Sequence, residues 1–174
     1  MASITPEDAE ALANGADLTP QAGILAQYVK DLSFENPNAP GSLQAQGQPK
    51  LEISVNVNAR AGDNDMYEVE LRITANAKGQ DAEGRETGAL FAVELLYAGL
   101  FRLVGAPRDA LEPFLLVEAP RILFPFARRV VADCVRDGGF PPLMLDPIDF
   151  GGLYLQQLEA RRSGAGQGPV VGNA

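Results

Sequence analysis

The sequence predicts an α+β fold: a four-stranded antiparallel sheet with a long helix and a shorter C-terminal helix on one face. Three observations predict it. The first half of the chain alternates apolar and polar residues with a period of two, the mark of half-buried strands. Beyond residue 107 the apolar spacing lengthens to three and four, the mark of helices. The strands all precede the helices, which is the order of an α+β domain rather than of repeated strand–helix units. No internal repeat is present, and 174 residues suit one ordinary domain.

Each element follows from its residues. Residues 1–22 are Ala-rich, acidic and broken by Gly15 and Pro20, and read as a flexible arm. The first strand is ILAQYVKDLSFE, residues 24–35, with Tyr28, Leu32 and Phe34 on one face and Asp31, Ser33 and Glu35 on the other. In the second, Leu51, Ile53, Val55 and Val57 alternate with Glu52, Ser54, Asn56 and Asn58. The third carries Tyr67, Val69, Leu71 and Ile73 against Glu68, Glu70, Arg72 and Thr74, and AGDND between the two is a hairpin signal. The fourth, residues 87–104, is apolar on both faces: Phe91, Val93, Leu95 and Tyr97 on one, Leu90, Leu96 and Ala98 on the other. Such a strand is covered on both faces. Helices of this chain can cover one, and another subunit is the simplest cover for the second, where Glu94 is the exception.

Helical spacing runs through 108–137, with Ile122, Phe126, Val130 and Cys134 recurring every four residues and Leu123 and Val131 alongside. Pro120 suits a first turn. Pro125 predicts a kink or break, and Gly138 and Gly139 stop the helix. FPPLMLDPI, residues 140–148, must be extended because of its prolines. Asp149 can cap a last helix over 150–162, whose Gly151 and Gly152 weaken its first turn. A single domain over 23–162 and a flexible tail over 163–174 complete the division.

Composition excludes several function classes. With 14 basic and 23 acidic residues the net charge is −9, which disfavours nucleic acid and anionic membrane surfaces and suits basic partners. One cysteine, Cys134, permits no intrachain disulfide, and its plain reading is a buried helical thiol. The absence of histidine removes most zinc sites and every His-based triad. The start has neither a basic nor an apolar region of a secretory signal, and no apolar stretch is long enough to cross a bilayer. A cytoplasmic location is the expectation.

A search for chemistry finds no equipment for an enzyme and no cofactor or metal site. GQDAEGRE, residues 79–86, has the glycine spacing of a phosphate loop but lacks its Lys and Ser/Thr, and its acids would repel phosphate. The glycines of SGAGQGPVVGNA neither follow a strand nor open a helix. Asp63 and Asp65 could hold calcium or a proton in principle, but a solvated turn is the simpler reading. The serines lack an activating histidine. What remains is apolar surface, prolines in the links and negative charge.

At this point motifs emerge together. SFENPNAP (33–40), MYEVELRITANA (66–77), GLFRLVG (99–105), RILFPFAR (121–128) and GGFPPLMLDPIDFGGLY (138–154) closely resemble the SecB family of bacterial protein-export chaperones, in order and at the right spacing over about residues 24–160. The loop at GQDAEGRE looks longer than is usual in the family, and a tryptophan common in the family's crossing segment is missing. The resemblance implies the same antiparallel sheet with two helices, assembled as a homotetramer, a dimer of dimers. It implies an ATP-independent holdase that captures unfolded precursor proteins and delivers them to the export motor SecA.

The resemblance also assigns residues. Pro37 and Pro40 would keep a crossover, residues 36–49, extended and outside the sheet, as one wall of an open groove whose other walls are the sheet edge and the last helix. Leu43, Val55, Val57, Phe150, Leu153, Tyr154 and Leu158 are the groove candidates; the alternative is that they are plain core. Asp31, Glu35 and Glu94 match acidic positions that form a flat patch for the basic, zinc-bearing tail of SecA, the zinc belonging to that partner. The first strand and the long helix are the assembly candidates, with Leu123, Val130 and Val131 able to pack across subunits. The competing function is a non-catalytic or hydrolytic α+β protein that binds a small acyl-type ligand.

Overall fold

Period-two alternation produces four strands, β1 (Gln21–Glu35), β2 (Lys50–Ala61), β3 (Met66–Gln80) and β4 (Glu86–Val104). The computed structural model describes residues 21–45 and 47–164. Neighbouring strands are all antiparallel, in the order β1-β4-β3-β2. The first two strands in sequence are therefore the two edges of the sheet. Their link has to cross three strand spacings, about 14 Å.

The turns match their residues. Between β2 and β3, Asn64 and Asp65 take φ of 56° and 57°, the backbone of a primed hairpin turn whose twist suits the flanking strands. The Gly62 N–H donates to the Met66 carbonyl at 2.8 Å and closes the hairpin. Between β3 and β4, the Asp81 carboxylate accepts from the N–H groups of Glu83 and Arg85 at 3.0 and 2.8 Å. These bonds, that from the Arg85 backbone first, hold its carboxyl below the ordinary range. The acids of both loops are thus turn formers.

The helices follow the sheet. α1 (Arg108–Pro113), a π turn (Phe114–Glu118) and α2 (Ala119–Asp137) form one helical run, and α3 (Phe150–Arg162) closes the fold. All lie on the face of the sheet that carries Val69, Leu71, Ile73, Val93 and Leu95. Leu71, Ile73 and Leu95 of the sheet and Leu123, Val131 and Val135 of α2 are fully buried. Each such side chain contributes about 1.5–3 kcal/mol by leaving water.

Several expectations are corrected. The expected break at Pro125 does not occur, since α2 is continuous across it. The irregularity is instead the π turn just after Pro113. The core row of α2 is Ala119, Leu123, Ala127, Val131 and Val135, one residue on from the predicted row. Alanines let the helix approach the sheet, and Leu123 seats over Gly99, where an added Cβ would lie 2.7 Å from Leu123 Cδ2. Ile122 and Phe126 are left 43% and 44% exposed on the flank. Leu123 and Val131, expected to pack across subunits, are spent inside their own chain.

The helix stop is as expected. Gly139 takes φ +90° and donates to the Arg136 carbonyl at 3.0 Å. A Cβ on Gly138 would stand 2.2 Å from Phe34 Cζ, so the helix end and β1 touch only because that Cβ is absent. Asp149 caps α3 by accepting from the Gly152 N–H at 3.0 Å. The expected arm, 1–22, lies outside the described residues except for Gln21 and Ala22, which pair with Val104 and Leu103 in β1. Of the expected tail, 163–174, only Ser163 and Gly164 are described.

Candidate functional site

The face of the sheet away from the helices is set by two bulges in β1. The register with β4 shifts between Ile24 and Ala26 and again between Val29 and Asp31. Each extra residue, Leu25 and then Lys30, reverses which face the following side chains show. Tyr28 pairs with Ala98, whereas Leu32 and Phe34 pair with Leu95 and Val93 on the helix side. The single face expected for Tyr28, Leu32 and Phe34 is therefore wrong for Tyr28. A period-two reading carries no mark of an inserted residue.

The second bulge brings the predicted acids together. Asp31, Ser33 and Glu35 stand opposite Leu96, Glu94 and Ala92, so Asp31, Glu35 and Glu94 share the open face. Asp31 and Glu35 are each diagonal to Glu94, a Cα separation of about 7–8 Å. Glu94 is also ion-paired with Arg72 of β3, both side chains being nearly half exposed. Leu96 and Ala98 lie on this face as expected. Leu90 does not, because the β3–β4 register shifts beside it and it packs against the core.

Sequence reasoning missed the clasp beside this patch. The bulge residue Lys30 reaches across β4 and donates to both Glu68 oxygens at 2.9 Å and to Glu70 Oε1 at 2.6 Å. The Tyr28 hydroxyl donates to Glu68 at 2.6 Å. Asn58 donates to Glu70 at 3.1 Å, and Arg60 lies 3.3 Å from it. Tyr28 first, then Lys30, hold the Glu68 carboxyl below its ordinary value; Lys30 first, then Asn58, do so for Glu70. Both glutamates in turn raise Lys30. The edge strand is tied to the sheet by charge as well as by backbone bonds.

The apolar candidates divide. Val55, Val57, Phe150, Leu153 and Tyr154 do converge, with Leu116 and Gln157, around a cavity of ≈ 10 Å³ beneath α3. That is room for about one water. Val55 and Phe150 are 5% and 1% exposed, so in this conformation they are core rather than open groove wall. Leu158 is half-buried and does not line this cavity. α3 is held down by the Asp149 cap, its apolar face and an exposed Arg161–Glu112 ion pair of 2.7 Å. No more than about 1 kcal/mol comes from such a pair.

Leu43 lies elsewhere. The crossover is not extended as expected. It winds through turns over 37–40 into a 3-10 turn, Gly41–Gln44. Fourteen angströms needs few residues, so the slack is taken up in bonds: Ser42 N–H to the Asn38 carbonyl at 2.9 Å, and Asn38 Nδ2 to the Ala89 carbonyl at 2.9 Å. Asn38 of SFENPNAP thereby docks the crossover near the start of β4, while Asn36 accepts from the Ser42 hydroxyl within the crossover. Leu43, 47% exposed, stands over Gly139. Beside this end of the helix, Phe34, Phe91 and Phe140 stack in a row with centroids 5.9 and 5.0 Å apart. The three phenylalanines come from three separate stretches of the chain, the end of β1, the start of β4 and the segment after α2, and only the fold joins them.

An antiparallel sheet backed by helices on one face, with an exposed apolar edge strand, defines an α+β protein whose free surfaces suit contact with other polypeptides. Ile24, Leu25, Val29 and Leu32 are each 40–54% exposed along that edge. The family model described as preprotein translocase subunit SecB matches residues 15–161. The chain belongs to the SecB family. The protein-export protein SecB of Rhizorhabdus wittichii is 52% identical over 162 residues, 93% of this chain and 94% of the relative. That of Zymomonas mobilis is 54% identical over 143 residues, 82% of this chain and 84% of the relative. Among solved structures, a SecB-like chaperone of Mycobacterium tuberculosis, in complex with a ChAD peptide from the HigA1 antitoxin, has a TM-score of 0.59 at 15% identity. It is covered over 94% of its length by 80% of this chain, a likeness of fold.

Proposed function

We propose that this chain is a preprotein-binding export chaperone: an ATP-independent, cytoplasmic holdase that keeps precursors unfolded and delivers them to SecA. Family membership favours this over the small acyl-ligand reading. The observation that carries the client role is the apolar surface at the sheet's edges, the length of β1 together with Leu43 beside the phenylalanine row. An unfolded chain exposes apolar side chains and unpaired backbone, and an open edge strand answers both. The cavity beneath α3 takes client side chains only if that helix lifts.

Assembly as a dimer of dimers is supported by the same features. An edge strand with this much exposed apolar surface invites pairing. The ridge of Ile122 and Phe126, with Val130 half-buried beside it, offers a second contact between copies. No helix among the described residues is long and apolar enough to cross a membrane. For delivery, Asp31, Glu35 and Glu94 on one flat face suit a basic peptide such as the zinc-bearing tail of SecA.

The test is direct. A slow-folding precursor is diluted from denaturant with and without the protein, with no nucleotide, and aggregation and refolding are followed. Near-stoichiometric retention of soluble, unfolded precursor supports the reading; aggregation or folding at the unassisted rate rejects it. Glu94→Lys separates the two surfaces. It should weaken SecA binding and leave precursor capture intact, and equal loss of both would reject a separate patch.

A further inference from the structure

The acids of the open face are not equally bare. Among the described residues Asp31 and Glu35 make no ion pair, whereas Glu94 is held by Arg72. Arg72 lies on β3, opposite Asn56 of β2 and Leu96 of β4, and neither neighbour is charged. The carboxylates further along its own strand, Glu68 and Glu70, are already engaged by Tyr28, Lys30, Asn58 and Arg60. The Arg72 guanidinium turns to Glu94 instead, and it is the one cation paired with the patch among the described residues. The two side chains are 45% and 44% exposed. An exposed pair of this kind shifts an equilibrium by no more than about fivefold, so a group from outside can take its place.

We infer that Arg72 is a displaceable counter-ion built into the patch. In the free chain it holds Glu94, and a basic partner binds by putting its own cation there. The inference rests on the reading of the patch as the seat of the SecA tail, and adds how that seat is regulated. Arg72 cancels one of the three negative charges that the partner would otherwise meet. The partner must also break one ion pair to make another, which returns less than a new pair at a bare carboxylate. Asp31 and Glu35 supply the attraction that nothing in the described chain offsets. Salt screens the exposed internal pair, so the handicap that Arg72 imposes is largest at low ionic strength.

The test measures binding of the zinc-loaded SecA tail peptide to the full chain by titration calorimetry, at about 20 mM and about 300 mM salt. Circular dichroism checks the fold of each variant. Arg72→Met should bind the peptide about two- to fivefold tighter than the parent chain at the lower salt, and the gain should shrink at the higher. Arg72→Lys, which keeps the charge, should stay close to the parent. Binding by Arg72→Met that is no tighter than the parent's overturns the proposal. So does a gain that Arg72→Lys shows equally, or one that salt leaves unchanged. Failure of the underlying reading looks different: the parent chain does not bind the peptide, or Glu94→Lys leaves binding unchanged, and the counter-ion falls with the patch.

Discussion

Lys30→Met is the most informative single change, because Lys30 is both the bulge residue and the clasp. Its ammonium meets Glu68 at 2.9 Å and Glu70 at 2.6 Å, and the Glu70 side chain is only 7% exposed. A hydrogen bond to a charged group contributes about 1.5–3 kcal/mol, and stranding a buried charge costs about 3–5 kcal/mol where nothing compensates. Asn58 and Arg60 remain on Glu70, and Lys30 itself is 34% exposed. The expected loss at neutral pH is therefore near the lower end, about 2 kcal/mol. The two glutamates have folded-state pKa values below the ordinary 4.5. Their stabilisation is present above 4.5 and fades as pH falls through the lowered values. Urea unfolding at one protein concentration, at about pH 7 and about pH 3.5, should show the penalty shrinking in acid. Pairing Lys30→Met with Glu70→Gln should recover about half of the loss, since the stranded charge is gone. A penalty that is unchanged both in acid and in the Gln background would refute the electrostatic argument and leave only lost packing of the lysine stem.

Four other outcomes follow from the same geometry. Phe150→Ala empties a site that is 1% exposed and edge-on to Phe124 at 5.9 Å, and should cost about 3–4 kcal/mol in urea unfolding. A loss under about 1 kcal/mol would mean that α3 adds little to the fold. Asp149→Ala removes the cap on the Gly152 N–H and should cost about 1 kcal/mol. Hydrogen exchange should quicken in the first turn of α3 and not in the sheet. Gly138→Ala drives a methyl into the Phe34 ring and should cost about 1–3 kcal/mol, read as a lower urea midpoint with an unchanged slope. Glu112→Ala breaks an ion pair with both partners about half exposed, and should cost under about 1 kcal/mol, less still at high salt.

The residue order alone carried a good deal. The four strands, the helical run over 108–137, its glycine stop and the Asp149 cap are local features, written in spacings of two or four and in single capping side chains. The family was legible for a similar reason, since its motifs are short and rich in proline and glycine. Asp31 and Glu35 could be placed on one face because the stretch between them is regular. Tyr28 could not be placed with them, because the bulge at Lys30 is a property of two strands in register.

Tertiary structure decided what depends on partners distant in the chain. α2 offered two adjacent apolar rows, and periodicity picked the one richer in large residues. Close approach to Gly99 selected the row with alanines and left Ile122 and Phe126 outside. The groove candidates looked alike in sequence, yet α3 buries Phe150 and Val55 while Leu43 stands exposed over Gly139. Periodicity reports that a residue is apolar and which side of its own element it occupies. Which apolar side is covered is set by the shape of the surface that meets it, and that surface comes from elsewhere in the chain.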